Sequence, residues 1–440
     1  MILTPLLLVL AVCYEEKSNE TNNILEKEVT IAVWNGELRL HGEEVGPIIN
    51  DNMAKFKADK DINVKYDIIY ANTYEEYLNK LNIKLYKENG PTLIYFYNED
   101  YRGSAINYIK QGVALEVEED KLPNVNKLYD IFKEDSIYYI PIGMNYPAVV
   151  LNKPMLDRLN IKEPDINWTK KDFTDMREKW ISSKERIFSS DEYSYIVRYP
   201  YYELSIIDKE KKKINLNTDS IKEFLKKSKE KLSSSEYKFI EDLEFYYNAI
   251  FEYRSKECKK EYHQIERYNE EYLIASNETE NTLKVRPRRR ANKDFIIVPN
   301  PYSKRLNTFG FIVNKRGKNI EVGLEFINQL LSDENQIKVY TDDVYWFYPV
   351  NKEIEDKINK KARERDVEEK YITMRKHVLD KIKSGDDMNY LGEDVKVQYI
   401  RESIEKDFFK IIFSDEEYTD EELENKLIEM ENKYQLYFRE

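Results

Sequence analysis

Apolar and polar positions along this chain switch repeatedly between a period of two and a period near 3.6. Val29-Thr-Ile-Ala-Val-Trp34, Val64-Lys-Tyr-Asp-Ile-Ile-Tyr70 and Pro91-Thr-Leu-Ile-Tyr-Phe-Tyr97 are rich in β-branched and aromatic residues and read as strands. Between them, Ile48, Ile49, Met53 and Phe56 predict a helix over 47–57, and Tyr77, Leu81 and Leu85 predict another. Asn72 or Thr73 is the expected cap of that second helix, with Glu75 and Glu76 in its first turn. A further helix over 101–110 is closed by Gly112. Strands alternating with helices at this spacing predict an α/β fold with a mostly parallel sheet.

Beyond this region, two β-prone runs flank Pro141-Ile142-Gly143 and end at Asn152-Lys153-Pro154, which opens a helix. A Pro-Gly kink between such runs marks a candidate crossing between domains. Thr169 caps a helix over 170–181, with Asp172 at capping-box spacing, and Trp168 is assigned to packing. Asn217-Thr218-Asp219 caps a helix over 220–232, and 236–262 reads as one long aromatic helix containing Cys258. Phe295-Ile-Ile-Val-Pro-Asn-Pro301 and Thr308-Phe-Gly-Phe-Ile-Val-Asn314 are strands. Helices follow over 319–331 and from Ser332, and Tyr348-Pro-Val-Asn-Lys352 leads into a charged helical tail.

Length and charge narrow the function classes. The chain has 440 residues, room for two or three cores, and a net charge of −13 that argues against nucleic-acid partners. The one basic cluster, Arg286-Pro-Arg-Arg-Arg290, reads as a solvated loop. Two Cys form no disulfide framework, and three separated His do not make a metal site. No cofactor is expected. There is no phosphate-binding Gly loop and no Gly-x-Ser-x-Gly, and the neighbours Glu43-Glu44 and Asp342-Asp343 define no catalytic geometry, so the chain is not read as an enzyme. The 36 Tyr supply flat amphipathic faces suited to a ligand cleft.

Residues 2–12 are almost wholly apolar but too short to span a bilayer, as in a signal-peptide core. Leu10-Ala11-Val12-Cys13 resembles the lipobox of bacterial lipoproteins, which implies lipidation at Cys13 and a polar tether over 14–27. Val12 is larger than usual there and no Lys or Arg precedes the apolar run. An uncleaved or unlipidated N-terminus is the alternative.

Several phrases, in order, resemble the extracellular solute-binding proteins of sugar-type ABC transporters. They are Thr30 to Trp34, Thr73-Tyr-Glu-Glu-Tyr-Leu78, Gly90-Pro91, Gly112-Val-Ala-Leu115, Tyr138 to Lys153, Trp168-Thr169, Val298-Pro-Asn-Pro301, Gly310 to Asn314, Glu325-Phe-Ile327 and Pro349 to Lys352. The chain departs from that family at Pro91-Thr92, where Pro-Asp is common, in lacking Gly-rich segments over 184–213, and in the basic loop. The resemblance implies a two-lobed periplasmic-binding-protein-like fold, with hinge strands and a ligand cleft between lobes. It places lobe 1 at 28–143 with 302–347, and lobe 2 at 144–301 with 348–440. It implies capture of a carbohydrate, an oligosaccharide, and delivery to an ABC transporter permease by a monomer lipid-anchored to the outer face of the cell membrane. The alternative is a surface lipoprotein of the same fold acting as adhesin, scaffold or sensory partner.

Ligands of α/β sheets lie beyond the C-terminal ends of strands. A sugar needs aromatic platforms beside amide and charged hydrogen-bonding groups. The expected ligand-binding residues are therefore Trp34, Asn35 and Glu37 after the first strand and Tyr97, Asn98 and Tyr101 after the third. Asn145 and Tyr146 are expected at the crossing, Tyr302 and Trp346 near the return, and Arg198 from a polar-aromatic cluster in the second lobe.

Overall fold

A computed structural model describes residues 28–35, 46–72, 74–98, 105–133, 136–183, 186–233, 237–239, 241–251, 274–285, 287, 292–303, 305–385, 388–391 and 393–439. In chain order the first elements are β1 (Glu28–Trp34), α1 (Gly46–Lys60), β2 (Asn63–Ile69), α2 (Tyr74–Leu85), β3 (Leu93–Asn98), α3 (Ala105–Lys110), β4 (Tyr139–Asn145) and β5 (Pro147–Asn152). Next come α4 (Lys153–Arg158), α5 (Lys170–Ile181), β6 (Arg186–Ile187), α6 (Ser190–Tyr193), a π-helical turn (Ser194–Arg198), α7 (Tyr199–Glu203), β7 (Ile207–Asp208), β8 (Lys213–Ile214), α8 (Asp219–Ser233), β9 (Tyr237–Lys238) and α9 (Leu243–Phe251). The remainder are β10 (Ile274–Asn281), β11 (Phe295–Pro299), β12 (Asn307–Val313), α10 (Ile320–Leu330), α11 (Asp333–Thr341), α12 (Glu355–Glu364), α13 (Glu369–Ser384), α14 (Val395–Ile412) and α15 (Asp420–Arg439).

The chain divides into two units. Unit 1 comprises Met1–Val149, Ser276–Lys293 and Ile297–Gly392, and unit 2 comprises Val150–Ala275, Asp294–Ile296 and Glu393–Glu440. The crossings at 149/150, 275/276 and 296/297 fall inside β5, β10 and β11, which form a sheet of their own in the order β10-β5-β11. The whole of Tyr302 to Gly392 belongs to unit 1. Met144 and Tyr348 exchange two 2.8 Å backbone hydrogen bonds, and Gln336 in α11 accepts from the Val350 N–H, so this segment is bound into unit 1.

Unit 1 is built on a five-stranded sheet in the order β2-β1-β3-β12-β4. β1 is parallel to β2 and β3, whereas β12 runs antiparallel to both β3 and β4. Every residue of β4 and of β12 is buried, as expected for strands covered on both faces. Helices α1 and α10 pack together through an edge-to-face contact of Phe56 with Phe326, ring centroids 5.6 Å apart. Asn52 and Asn335 link α1 to α11 by paired side-chain amides at 3.2 and 2.8 Å.

The expected kink at Pro141-Ile142-Gly143 is not where the strands part. β4 runs straight through it and breaks only at Tyr146. The irregularity is absorbed by a register shift opposite, between Phe309 and Gly310 of β12. Gly143 serves as clearance there: a Cβ on it would lie 2.1 Å from Phe309 Cε1.

Unit 2 has a helical, aromatic core that draws on 188–251 and on α14 and α15, with Phe188, Tyr193, Tyr246, Phe408 and Leu427 among its fully buried side chains. Thr169 and Asp172 form the expected capping box of α5, and Trp168 packs edge-to-face on Phe173 at 5.3 Å. The long helix expected over 236–262 is corrected. Tyr237–Lys238 is instead a strand parallel to β6, and α9 begins only at Leu243, where Asp242 accepts from the Phe245 N–H. That Asp side chain caps a new helix and so prevents continuity with what precedes it. Cys258 lies outside the described residues. Among the described residues no helix is long and apolar enough to cross a membrane.

Candidate functional site at the strand ends of unit 1

The register places one edge of the five-stranded sheet in view residue by residue. Trp34 is level with Ile69 at the ends of β1 and β2. Thr308 lies between Asn98 and Met144, and Asn307 faces Asn145. The C-terminal ends of β1, β3 and β4 thus share an edge with the N-terminal end of β12, and three of the predicted Asn positions lie on it. Strand ends of this kind leave backbone dipoles and side chains free for a ligand.

The predicted residues that fall among the described ones have definite positions. Trp34 is buried, donates its indole N–H to the Ala71 carbonyl at 3.1 Å, and lies 6.1 Å from the Tyr77 ring. It is a packing residue between β1 and α2, not an open platform, in this conformation. Asn35 is half-buried and its Oδ1 accepts from the Ala71 N–H at 2.8 Å, tying the end of β1 to the end of β2. Tyr97 and Asn98 close β3, paired with Phe309 and Thr308. Glu37, Tyr101 and Cys13 lie outside the described residues, as do the Arg residues of the basic loop.

Asn145 is fully buried, and neither its Oδ1 nor its Nδ2 has a hydrogen-bond partner. Tyr146, also buried, donates its hydroxyl to the Ser303 carbonyl at 3.1 Å, and burial raises its phenol to about 12. Tyr302 neighbours that carbonyl and donates its backbone N–H to Asn300 Oδ1. Trp346 is buried beside Phe347, with ring centroids 5.1 Å apart. Asn145, Tyr146, Tyr302 and Trp346 are therefore brought into one neighbourhood by short polar links.

The residue that makes most of those links was missed. Asn281, at the end of β10, donates from Nδ2 to the Met144 carbonyl at 3.3 Å and the Trp346 carbonyl at 2.8 Å. Its Oδ1 accepts from the Tyr146 N–H at 3.3 Å and the Leu283 N–H at 2.9 Å. It grips the peptide on both sides of Asn145. Asn307 was missed as well, because a rule that looks after each strand overlooks the first residue of an antiparallel one.

Arg198 is not part of this edge. It stands in unit 2, where Nε donates to Glu405 Oε1 at 2.8 Å and the guanidinium faces the Tyr193 and Phe251 rings. Burial works against its charge, and the Glu405 carboxylate holds it protonated. Of the paired carboxylates, Asp343 bridges to Arg365 at 2.6 Å and Asp342 accepts from the Val344 N–H. Among the described residues no group of three or more His, Cys, Asp and Glu is placed to hold a metal.

A model of the bacterial extracellular solute-binding proteins matches residues 52–367. The chain belongs to that family. Its members work outside the cytoplasm and bind solutes. The fold is shared with the sugar-binding protein MalE of Xanthomonas citri, at 8% identity and a TM-score of 0.61, covering 94% of this chain and 97% of that one. It is also shared with MalE of Listeria monocytogenes in complex with maltose, at 16% identity and 0.56, covering 93% and 97%. An ABC substrate-binding protein of the same organism in complex with cycloalternan aligns at 14% identity and 0.52, covering 93% and 98%. No curated protein matches the chain in sequence.

Proposed function

We propose that this solute-binding protein captures an oligosaccharide at the strand-end edge of unit 1 and passes it to the permease of an ABC transporter. The observation that carries the reading is the edge itself. By backbone position Asn98, Asn145 and Asn307 lie on it, with Tyr97 and Tyr146 next in sequence to the first two, and the amide of Asn145 is buried with its hydrogen-bonding capacity unused. Amides beside flat rings are what a sugar, with its hydroxyls and apolar CH faces, requires. Lipid on Cys13 would hold the protein, as a monomer, at the outer face of the cell membrane. The maltose and cycloalternan complexes of proteins with the same fold support the same solute class.

The test is a thermal-shift screen of the purified chain against oligosaccharides, acidic sugars and short peptides. A ligand that binds only the folded state, present at a hundredfold over its Kd, stabilises by about 2.7 kcal/mol. An oligosaccharide should raise the melting temperature and Asn145→Ala should remove the rise. A rise with peptides alone would replace the carbohydrate reading. Incorporation of labelled palmitate in the producing cell, lost in Cys13→Ser, tests the anchor.

A further inference from the structure

Asn307 and Asn145 form one cross-strand pair. They are directly opposite in the antiparallel pair of β12 and β4, and residues so placed project from the same face of a sheet. Asn307 is only 4% exposed and Asn145 not at all. Three amide atoms of this pair, Asn145 Oδ1 and Nδ2 and Asn307 Oδ1, have no partner. Nearly all buried polar groups are bonded, and each one left unmatched keeps the full cost of its lost hydration. Two facing side chains that both carry this cost mark a place built for something other than stability.

The backbone around the pair is fixed. Asn281 clamps the peptides flanking Asn145. Thr308, next to Asn307, accepts from the Tyr139 hydroxyl at 3.1 Å and donates to the Tyr390 carbonyl at 3.4 Å. Unengaged amides on a pinned backbone need little reordering when a ligand arrives.

We propose that Asn145 and Asn307 form a paired-amide subsite that selects neutral hydroxyl groups of the solute over carboxylates. The proposal rests on the carbohydrate reading above and names the chemistry of the solute. A primary amide offers two donor hydrogens and an acceptor oxygen, so two facing amides present both kinds of group. A hydroxyl donates and accepts and can satisfy both. A carboxylate ion only accepts, and would leave two buried amide oxygens facing its negative charge.

Titration calorimetry of the full chain against maltotriose, cellotriose, xylotriose and trigalacturonate tests this. A neutral trisaccharide should bind at least about tenfold more tightly than trigalacturonate, and Asn307→Ala should weaken it by about tenfold. Without sugar, the melting temperature of Asn307→Ala should not fall, because the ligand-free protein loses no hydrogen bond. Asn307→Ser provides a second variant of smaller volume change, with the same expectation for affinity and melting. A fall in melting temperature with unchanged affinity would make the pair purely structural and overturn the proposal. So would trigalacturonate binding as tightly as the neutral sugars. If a neutral sugar binds and both Asn307 variants match the parent, the subsite alone fails. If none of the four binds, the carbohydrate reading and the subsite fail together.

Discussion

At the scale of single residues, unit 1 contains polar groups of two opposite kinds. Asn145 and Asn307 are buried and unengaged, whereas Asn281 and Lys284 are buried and fully used. The Lys284 ammonium donates to the carbonyls of Val339 and Asp342, each at 2.7 Å, and to that of Tyr345. It therefore closes the C-terminal end of α11, where unpaired carbonyls and the helix dipole favour a cation. Lys284→Met keeps the apolar stem but strands those carbonyls. It should cost about 2–3 kcal/mol in urea unfolding, and an unchanged midpoint would show that water replaces the ammonium without loss. The same contrast explains what the sequence revealed of the site. Asn145 and Tyr146 are expected because they follow the Pro141-Ile142-Gly143 kink, read as a crossing. Asn307 does not stand out, since it is the orientation of β12 that carries it to the same strand-end edge. Asn281 gives little local signal beyond its turn contact with the Leu283 N–H, because its other partners are backbone groups of Met144, Tyr146 and Trp346, distant in sequence. Trp34 ends β1, and its indole N–H is engaged by the Ala71 carbonyl, a contact no periodicity discloses.

At the scale of elements, helix termini follow local chemistry most faithfully. Ser332, where the sequence starts this helix, caps α11, its side chain accepting from the Asn335 N–H. The first residue inside the helix, Asp333, gathers Lys127 at 2.9 Å, Lys357 at 3.0 Å and the Asn351 amide at 3.0 Å. Hydrogen bonds from Lys127 and then Lys357 outweigh burial and bring its carboxyl down to about 2 from an ordinary 3.8. The folded state thus binds this proton less readily than the unfolded chain. Its contribution to stability is complete above about pH 4 and is lost as pH falls toward 2. Asp333→Asn should therefore lower the melting temperature at pH 6 but converge with the parent near pH 2, and a pH-independent gap would assign the effect to the lost cap geometry instead. Caps such as Thr169 with Asp172 were legible for the same reason: both partners lie within one turn. The expected long helix over 236–262 failed because Tyr237–Lys238 pairs with β6, a tertiary choice that overrides a helical pattern. Pro141 and Gly143 mislead in a similar way. They look like a break, yet the register shift that accommodates them lies on β12, and Gly143 leaves room for the Phe309 ring.

At the scale of the whole molecule, the order of segments along the chain has a consequence for how it folds. The three segments of unit 1 are complete by Gly392, but unit 2 draws its last helices from the end of the chain. Ile400, Ile404, Phe408, Phe409, Ile411, Ile412, Leu423, Leu427, Met430 and Tyr434 all lie in the same buried cluster as Phe188, Tyr193 and Tyr246. Burial of a large apolar side chain contributes about 1.5–3 kcal/mol. Losing ten of them removes on the order of 15 kcal/mol or more, beyond the net stability of about 5–15 kcal/mol of an ordinary domain. Polar ties go with them. Arg198 would keep a buried charge without Glu405, and the N–H groups of Leu216 and Asn217 would lose Glu431. A chain ending at Gly392 should therefore keep a cooperatively folded unit 1 while 150–275 becomes a substrate for proteases. Limited proteolysis read by mass spectrometry checks this, with cuts expected inside 150–275 and protection over the described parts of 28–149 and 297–391. Protection of 150–275 in the shortened chain would mean that its own aromatic core, around Phe188, Tyr193, Tyr201 and Tyr246, holds unit 2 together without α14 and α15. The stability of the strand-end edge of unit 1 should be unaffected in either case, because Asn145, Asn281, Asn307 and Trp346 all belong to segments that the truncation retains.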